Sequence, residues 1–152
     1  MSKLQARNEL VVNAPIDRVW ALITDIKQLH LVNPGVVSAH GTMNQLNGTR
    51  TCEMSNNGKK GTMTERLIEL EPFRKTVWTV VEDSMGMSKM LNNTRFCFYL
   101  EKVSEHRTKI INESYYQPAT IFASVLNALM MKRTMGKIHG QILSNIQTVL
   151  SK

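Results

Sequence analysis

From Pro118 to about Leu150 the sequence reads as one helical segment, and this stretch constrains the fold more than any other. Roughly 30 residues at 1.5 Å each span ~45 Å, enough to cross a whole domain. The rest of the chain must therefore supply a surface long enough to cover it. Pro118 suits a first helical turn. Met131, Met135, Ile138, Ile142, Ile146, Val149 and Leu150 fall on one stripe, opposite Thr134, Lys137, Gln141, Asn145 and Thr148. Ile121, Phe122, Val125, Leu126 and Leu129 lie on a rotated stripe, which predicts a bend near Gly136 and Gly140, residues that weaken a helix.

The surface that covers this helix is read from Val36 to Gln117, where apolar runs alternate with turn residues in the manner of antiparallel hairpins. Strands are expected near Val36 to Met43, Thr49 to Ser55, Gly61 to Glu71, Lys75 to Asp83, Thr94 to Val103 and Thr108 to Tyr116. Turns fall at Asn47-Gly48, Asn56-Asn57-Gly58, Glu71-Pro72, Met85-Gly86 and Glu105-His106-Arg107. A further strand from Leu10 to Asn13 precedes a short helix opened by Pro15, with Asp17 in its first turn and an apolar face of Ile16, Val19, Trp20 and Ile23. Asn33-Pro34-Gly35 closes a second short helical piece. The class is α+β, with an antiparallel sheet of about seven strands and one domain over residues 1–152.

Phe96, Phe98 and Leu100 share one side of their strand and Arg95, Tyr99 and Glu101 the other, so the first set faces the core. Two strands leave the inward face open. In one, Met63, Glu65, Leu67 and Glu69 alternate with Thr64, Arg66, Ile68 and Leu70; in the other, Asn112, Ser114 and Tyr116 alternate with Ile111, Glu113 and Tyr115.

The net charge of +7 is distributed as single or paired cations such as Lys59-Lys60, Arg74-Lys75 and Lys132-Arg133, without the basic runs of a nucleic-acid tail. No nucleic-acid partner is expected. No apolar run suits a signal peptide or a membrane span, which places the expected location in the cytoplasm. Cys52 and Cys97 lack disulfide-framework or CxxC spacing and read as buried thiols. His30, His40, His106 and His139 are isolated, so no metal site is expected, and no cofactor motif is present.

The order of elements resembles the START-like (SRPBCC) superfamily, including its polyketide cyclase/dehydrase and lipid-transport group. The resemblance rests on Val12-Asn13-Ala14-Pro15 followed by Val19-Trp20 and Asp25, then Thr64-Glu65-Arg66 leading to Glu71-Pro72 and Trp78. It implies a helix-grip fold, in which the curved sheet wraps the C-terminal helix around a pocket for apolar molecules such as lipids, quinones or polyketides. The family's members include carriers as well as cyclases and dehydratases, and fold alone does not choose among them.

The expected function is binding or transport of a small hydrophobic ligand, with Trp78, Phe96, Phe98, Met131, Met135 and Ile142 as wall residues and Glu65 and His139 as polar members. No catalytic residue is assigned. A cyclase or dehydratase using the same cavity would draw its acid or base from Glu65, Glu113 and His139, with Arg66 able to hold a buried carboxylate ionised. His139 and Lys132 are seven residues apart on one side of the helix; they either orient a ligand's polar group or are a half-exposed histidine and a snorkelling lysine. A third reading, a membrane-surface protein handling quinones, rests on the net charge and on Met85-Gly86-Met87-Ser88-Lys89-Met90-Leu91, a loop able to close as a lid or touch an anionic membrane.

Overall fold

The computed structural model describes residues 2–152. Its first strand, β1 (Lys3–Val12), leads into helix α1 (Ile16–Ile23), a single 3-10 turn and the short helix α2 (Leu29–Val32). The turn is held by Asp25, whose carboxylate accepts the Lys27 main-chain N–H at 3.0 Å and the Gln28 side-chain amide at 2.9 Å. Strands β2 (Val36–Gly41), β3 (Thr49–Asn56), β4 (Lys59–Glu71) and β5 (Lys75–Asp83) follow. A one-turn helix, α3 (Met87–Met90), precedes β6 (Leu91–Ser104) and β7 (Arg107–Pro118). The chain ends in α4 (Ile121–Leu126), a wide turn (Asn127–Met131) and α5 (Lys132–Leu150).

All pairings are antiparallel, in the order β1-β7-β6-β5-β4-β3-β2. Hairpins make every step from β2 to β7, and the α1-α2 excursion carries the chain from one edge of the sheet to the other. The β3-β4 turn is made by Asn57 and Gly58, both at positive φ (51° and 80°), the geometry that matches strand twist in a two-residue hairpin. Register shifts in β1, β2, β4 and β6 add the local twist that curls the sheet around its helix. The result is a helix-grip fold.

Two apolar clusters fill the grip. Val12, Val19, Ile110, Leu143 and Ile146 are buried between α1, the β1-β7 side of the sheet and α5. Leu29, Val36, Cys52, Leu67 and Trp78 are buried under α2 at the other side.

The bend expected near Gly136 and Gly140 is absent from those positions: α5 runs through both glycines, and the irregularity lies earlier, at Asn127–Met131. There the helix widens to a π turn, which absorbs one extra residue and rotates the apolar stripe without a break. Asn127 gives the turn its purpose, because it is buried, accepts the Tyr116 hydroxyl at 2.5 Å and donates to Gln5 Oε1 at 3.0 Å. Pro118 ends β7 rather than opening the helix, whose cap is Thr120, accepting the Ala123 N–H at 3.0 Å.

Candidate functional site

An internal cavity of about 40 Å³ lies between the sheet, α1-α2 and the middle of α5. Leu22, Ile23, Leu29 and Val32 form its helical wall, Ile142 its roof and Met43 a flank. Trp78 and Phe98 rise into it from the sheet. The volume suits a few waters, whereas drug-sized ligands occupy roughly 300–1,000 Å³. A larger guest requires the helical wall or the β2-β3 loop to move outward.

Arg50 is the one ionisable residue among the described residues that line this cavity. Its guanidinium is buried, with Nε at 3.1 Å and Nη2 at 3.0 Å from Glu65 Oε1, and it stacks 3.9 Å over the Trp78 ring. Nη1 contacts only the soft sulfur of Met43, at 3.7 Å. The group is built by local strand geometry. Arg50 and Cys52 point inward while Thr49 and Thr51 alternate with them, and Arg50 stands directly across from Glu65 in the β3-β4 register. Burying one charge alone would cost several kcal/mol, so pairing and stacking are what make the arginine tolerable here. Burial pushes the neighbouring Cys52 thiol up to about 11, which leaves it protonated and unreactive at neutral pH.

Trp78, Phe98 and Ile142, all expected as wall residues, line the cavity. Glu65 lies behind its wall, joined through Arg50. Phe96, Met131 and Met135 are half-buried and do not line it. Phe96 sits in the ladder row between Trp78 and Ser114.

His139 is 2% exposed on the inward face of α5, outside the cavity lining. Its Nε2 shares a hydrogen bond of 2.6 Å with Ser114 Oγ, and its Nδ1 has no hydrogen-bond partner. Burial holds the ring far below its ordinary value, at about 4, outweighing the opposing influence of the nearby Asn112 main chain. It is a neutral imidazole at pH 7. Lys132 is exposed.

Glu113 lies on the convex face of the sheet, where the Tyr115 hydroxyl donates to it at 3.1 Å and Arg7 stands opposite in the register. That face carries its own depression of about 220 Å³, bordered by Arg7, Arg74, Tyr99 and Glu113. Glu65, Glu113 and His139 therefore occupy three separate environments. Arg66 is exposed, and the cation beside Glu65 is Arg50 rather than the Arg66 expected from the sequence. The signal for Arg50 was its alternation with Cys52 in a strand whose neighbour carries Glu65. Among the described residues no cluster of three His, Cys, Asp or Glu side chains could hold a metal ion.

A curved antiparallel sheet gripping a long helix, with an apolar cavity and one buried ion pair between them, defines a START-like domain. The chain belongs to the polyketide cyclase / dehydrase and lipid transport family, whose family model matches residues 3–151. No curated protein matches it. Among solved structures it is similar to a START superfamily protein from Mycobacterium smegmatis, with a TM-score of 0.77 at 9% identity over 96% of each chain. The Zhui aromatase/cyclase from Streptomyces sp. R1128 gives 0.70 at 13% identity, covering 98% of this chain and 96% of that one. Norcoclaurine synthase from Thalictrum flavum gives 0.72 at 12% identity, covering 98% and 86%. Identities this low establish the shared fold and leave the chemistry to each protein's own residues.

Proposed function

We propose that this protein binds or carries a small hydrophobic molecule bearing one oxygen acceptor, with its apolar body in the internal cavity and its oxygen on the Arg50 guanidinium. The observation that carries this reading is a buried arginine, fixed by Glu65 and Trp78, presenting donors to otherwise apolar walls. Glu65 sets the guanidinium plane, Trp78 supports its face, and Nη1 has only a weak sulfur contact to give up. Apolar burial of about 25 cal/mol per Å² supplies most of the affinity, and the oxygen contact sets the orientation. A cyclase or dehydratase using this cavity would find no ionisable wall group besides Arg50, so binding is the preferred reading.

The test is native mass spectrometry of the purified protein, followed by fluorescence titration with matched fatty acids and alkanes, with Trp78 as the reporter in a Trp20→Phe background. Arg50→Met with Glu65→Gln removes both charges without leaving one buried alone. The double variant is expected to bind the fatty acid more than about tenfold weaker and the alkane about equally, the loss of a charge-assisted hydrogen bond. Equal loss for both molecules, or for neither, would remove Arg50 from the site.

A further inference from the structure

The first stretch of the C-terminal helix is amphipathic the wrong way round for a helix packed on a sheet. Its inward positions are Ala123 and polar Asn127, both buried. Its outward positions are Ile121, Phe122, Val125 and Leu129, which are 87%, 69%, 52% and 70% exposed. At 100° per residue these four side chains occupy an arc of about 100°, centred opposite Ala123 and Asn127. Met130 in the wide turn is also exposed, at 59%. A contiguous apolar face of this kind marks an interaction surface, whereas scattered exposed apolar residues do not.

The charge around the face identifies its partner. Exposed Lys132 and Arg133 stand at its C-terminal end. Exposed Lys89 on α3 stands at the other end, because the Ala119 N–H bonds the Met90 carbonyl at 2.8 Å and ties α3 to the start of α4. All 12 acidic residues lie at or before Glu113, so the whole segment that bears the patch carries no negative charge. The acids closest to α3 in the chain are Glu82 and Asp83, and Asp83 is turned to the N–H groups of Met85 and Ser88 at 2.8 and 2.9 Å. A second copy of the same basic surface would repel this one. An anionic lipid surface would attract it and accept the apolar side chains.

We infer that the outward face of α4 and the wide turn after it seats on anionic bilayers as a peripheral contact, with Ile121, Phe122, Val125 and Leu129 in the acyl boundary and Lys89, Lys132 and Arg133 at the headgroups. No helix among the described residues is long and apolar enough to cross a membrane, so the contact is one of lying on the surface. This contact stands independently of what fills the cavity.

The experiment is co-sedimentation of the full chain with phosphatidylcholine vesicles, with and without phosphatidylglycerol, at low and high salt. The wild type is expected to pellet with the phosphatidylglycerol vesicles, less so at high salt. Lys132→Gln with Arg133→Gln should weaken partitioning by about fivefold per charge. Phe122→Ser with Leu129→Ser should weaken it about tenfold or more. These are surface positions, and circular dichroism of each variant checks that the fold is kept. Failure of the wild type to pellet, equal capture by neutral vesicles, or undiminished capture of both variants would overturn the inference. So would a concentration-dependent dimer in sedimentation velocity that Phe122→Ser abolishes, since that would assign the face to a second copy.

Discussion

His139 is held neutral by its surroundings, and this has a measurable consequence. Its folded-state value of about 4 lies below the ordinary value of 6.5, so between those limits the unfolded chain binds more protons than the folded one. Stability is therefore fully present above about pH 6.5 and falls as pH drops towards about 4, by an amount of order 3 kcal/mol for a shift this large. Urea denaturation between pH 7 and pH 4 should show that decline in the wild type and a flatter profile in His139→Gln. Parallel profiles would mean that the histidine is not the group being protonated. Seven-residue spacing put His139 and Lys132 on one side of the helix, yet His139 is buried and Lys132 is exposed, so helical spacing alone did not separate the two. It did not distinguish a cavity wall from the seam beside Ser114, which depends on how far the sheet curls. Arg50 was missed for a related reason: an inward arginine violates the ordinary rule for strands, and its alternation with Cys52 gains meaning only from the cross-strand register with Glu65.

At the scale of elements, strand positions were legible because turn residues and alternation mark them locally, while phase within a strand was less so. In β4, Met63, Glu65 and Leu67 are inward, and the register shift between Leu67 and Glu69 then resets the phase. Glu69 is thereby placed beside Lys75, with which it forms an ion pair, and Leu70 packs on the α2 side of the core. A strict period of two cannot describe such a strand, so alternation alone does not fix its inward face. The C-terminal helix shows the same effect. Two stripes out of phase were visible in the sequence, but glycines suggested where they meet, whereas Asn127 decides it through Tyr116 and Gln5. Asn127→Ala leaves the buried Tyr116 hydroxyl without its acceptor, and it is expected to cost about 1–3 kcal/mol of stability in thermal or urea unfolding. Tyr116→Phe with Asn127→Ala should recover part of the loss, because the stranded hydroxyl is then removed as well. An unchanged stability in Asn127→Ala would show that the π turn does not depend on this bond.

For the molecule as a whole, the grip leaves only about 40 Å³ of space between the sheet and its helices. Helices α1-α2 touch the cavity through Leu22, Leu29 and Val32, and the β2-β3 loop touches it through Met43, so these are the elements a larger guest would have to displace. A void of about 40 Å³ lowers stability, since its lining side chains lack contacts that a filled core would make. Val32→Ile adds one methylene at that wall and is expected to raise stability by up to about 0.8 kcal/mol. The same methylene occupies the space where the bound molecule would begin to enter, so fatty acid affinity should fall while the melting temperature rises. That opposition is the signature of a cavity kept for binding. If Val32→Ile raises stability and leaves affinity untouched, the void is a packing defect and the ligand is held elsewhere.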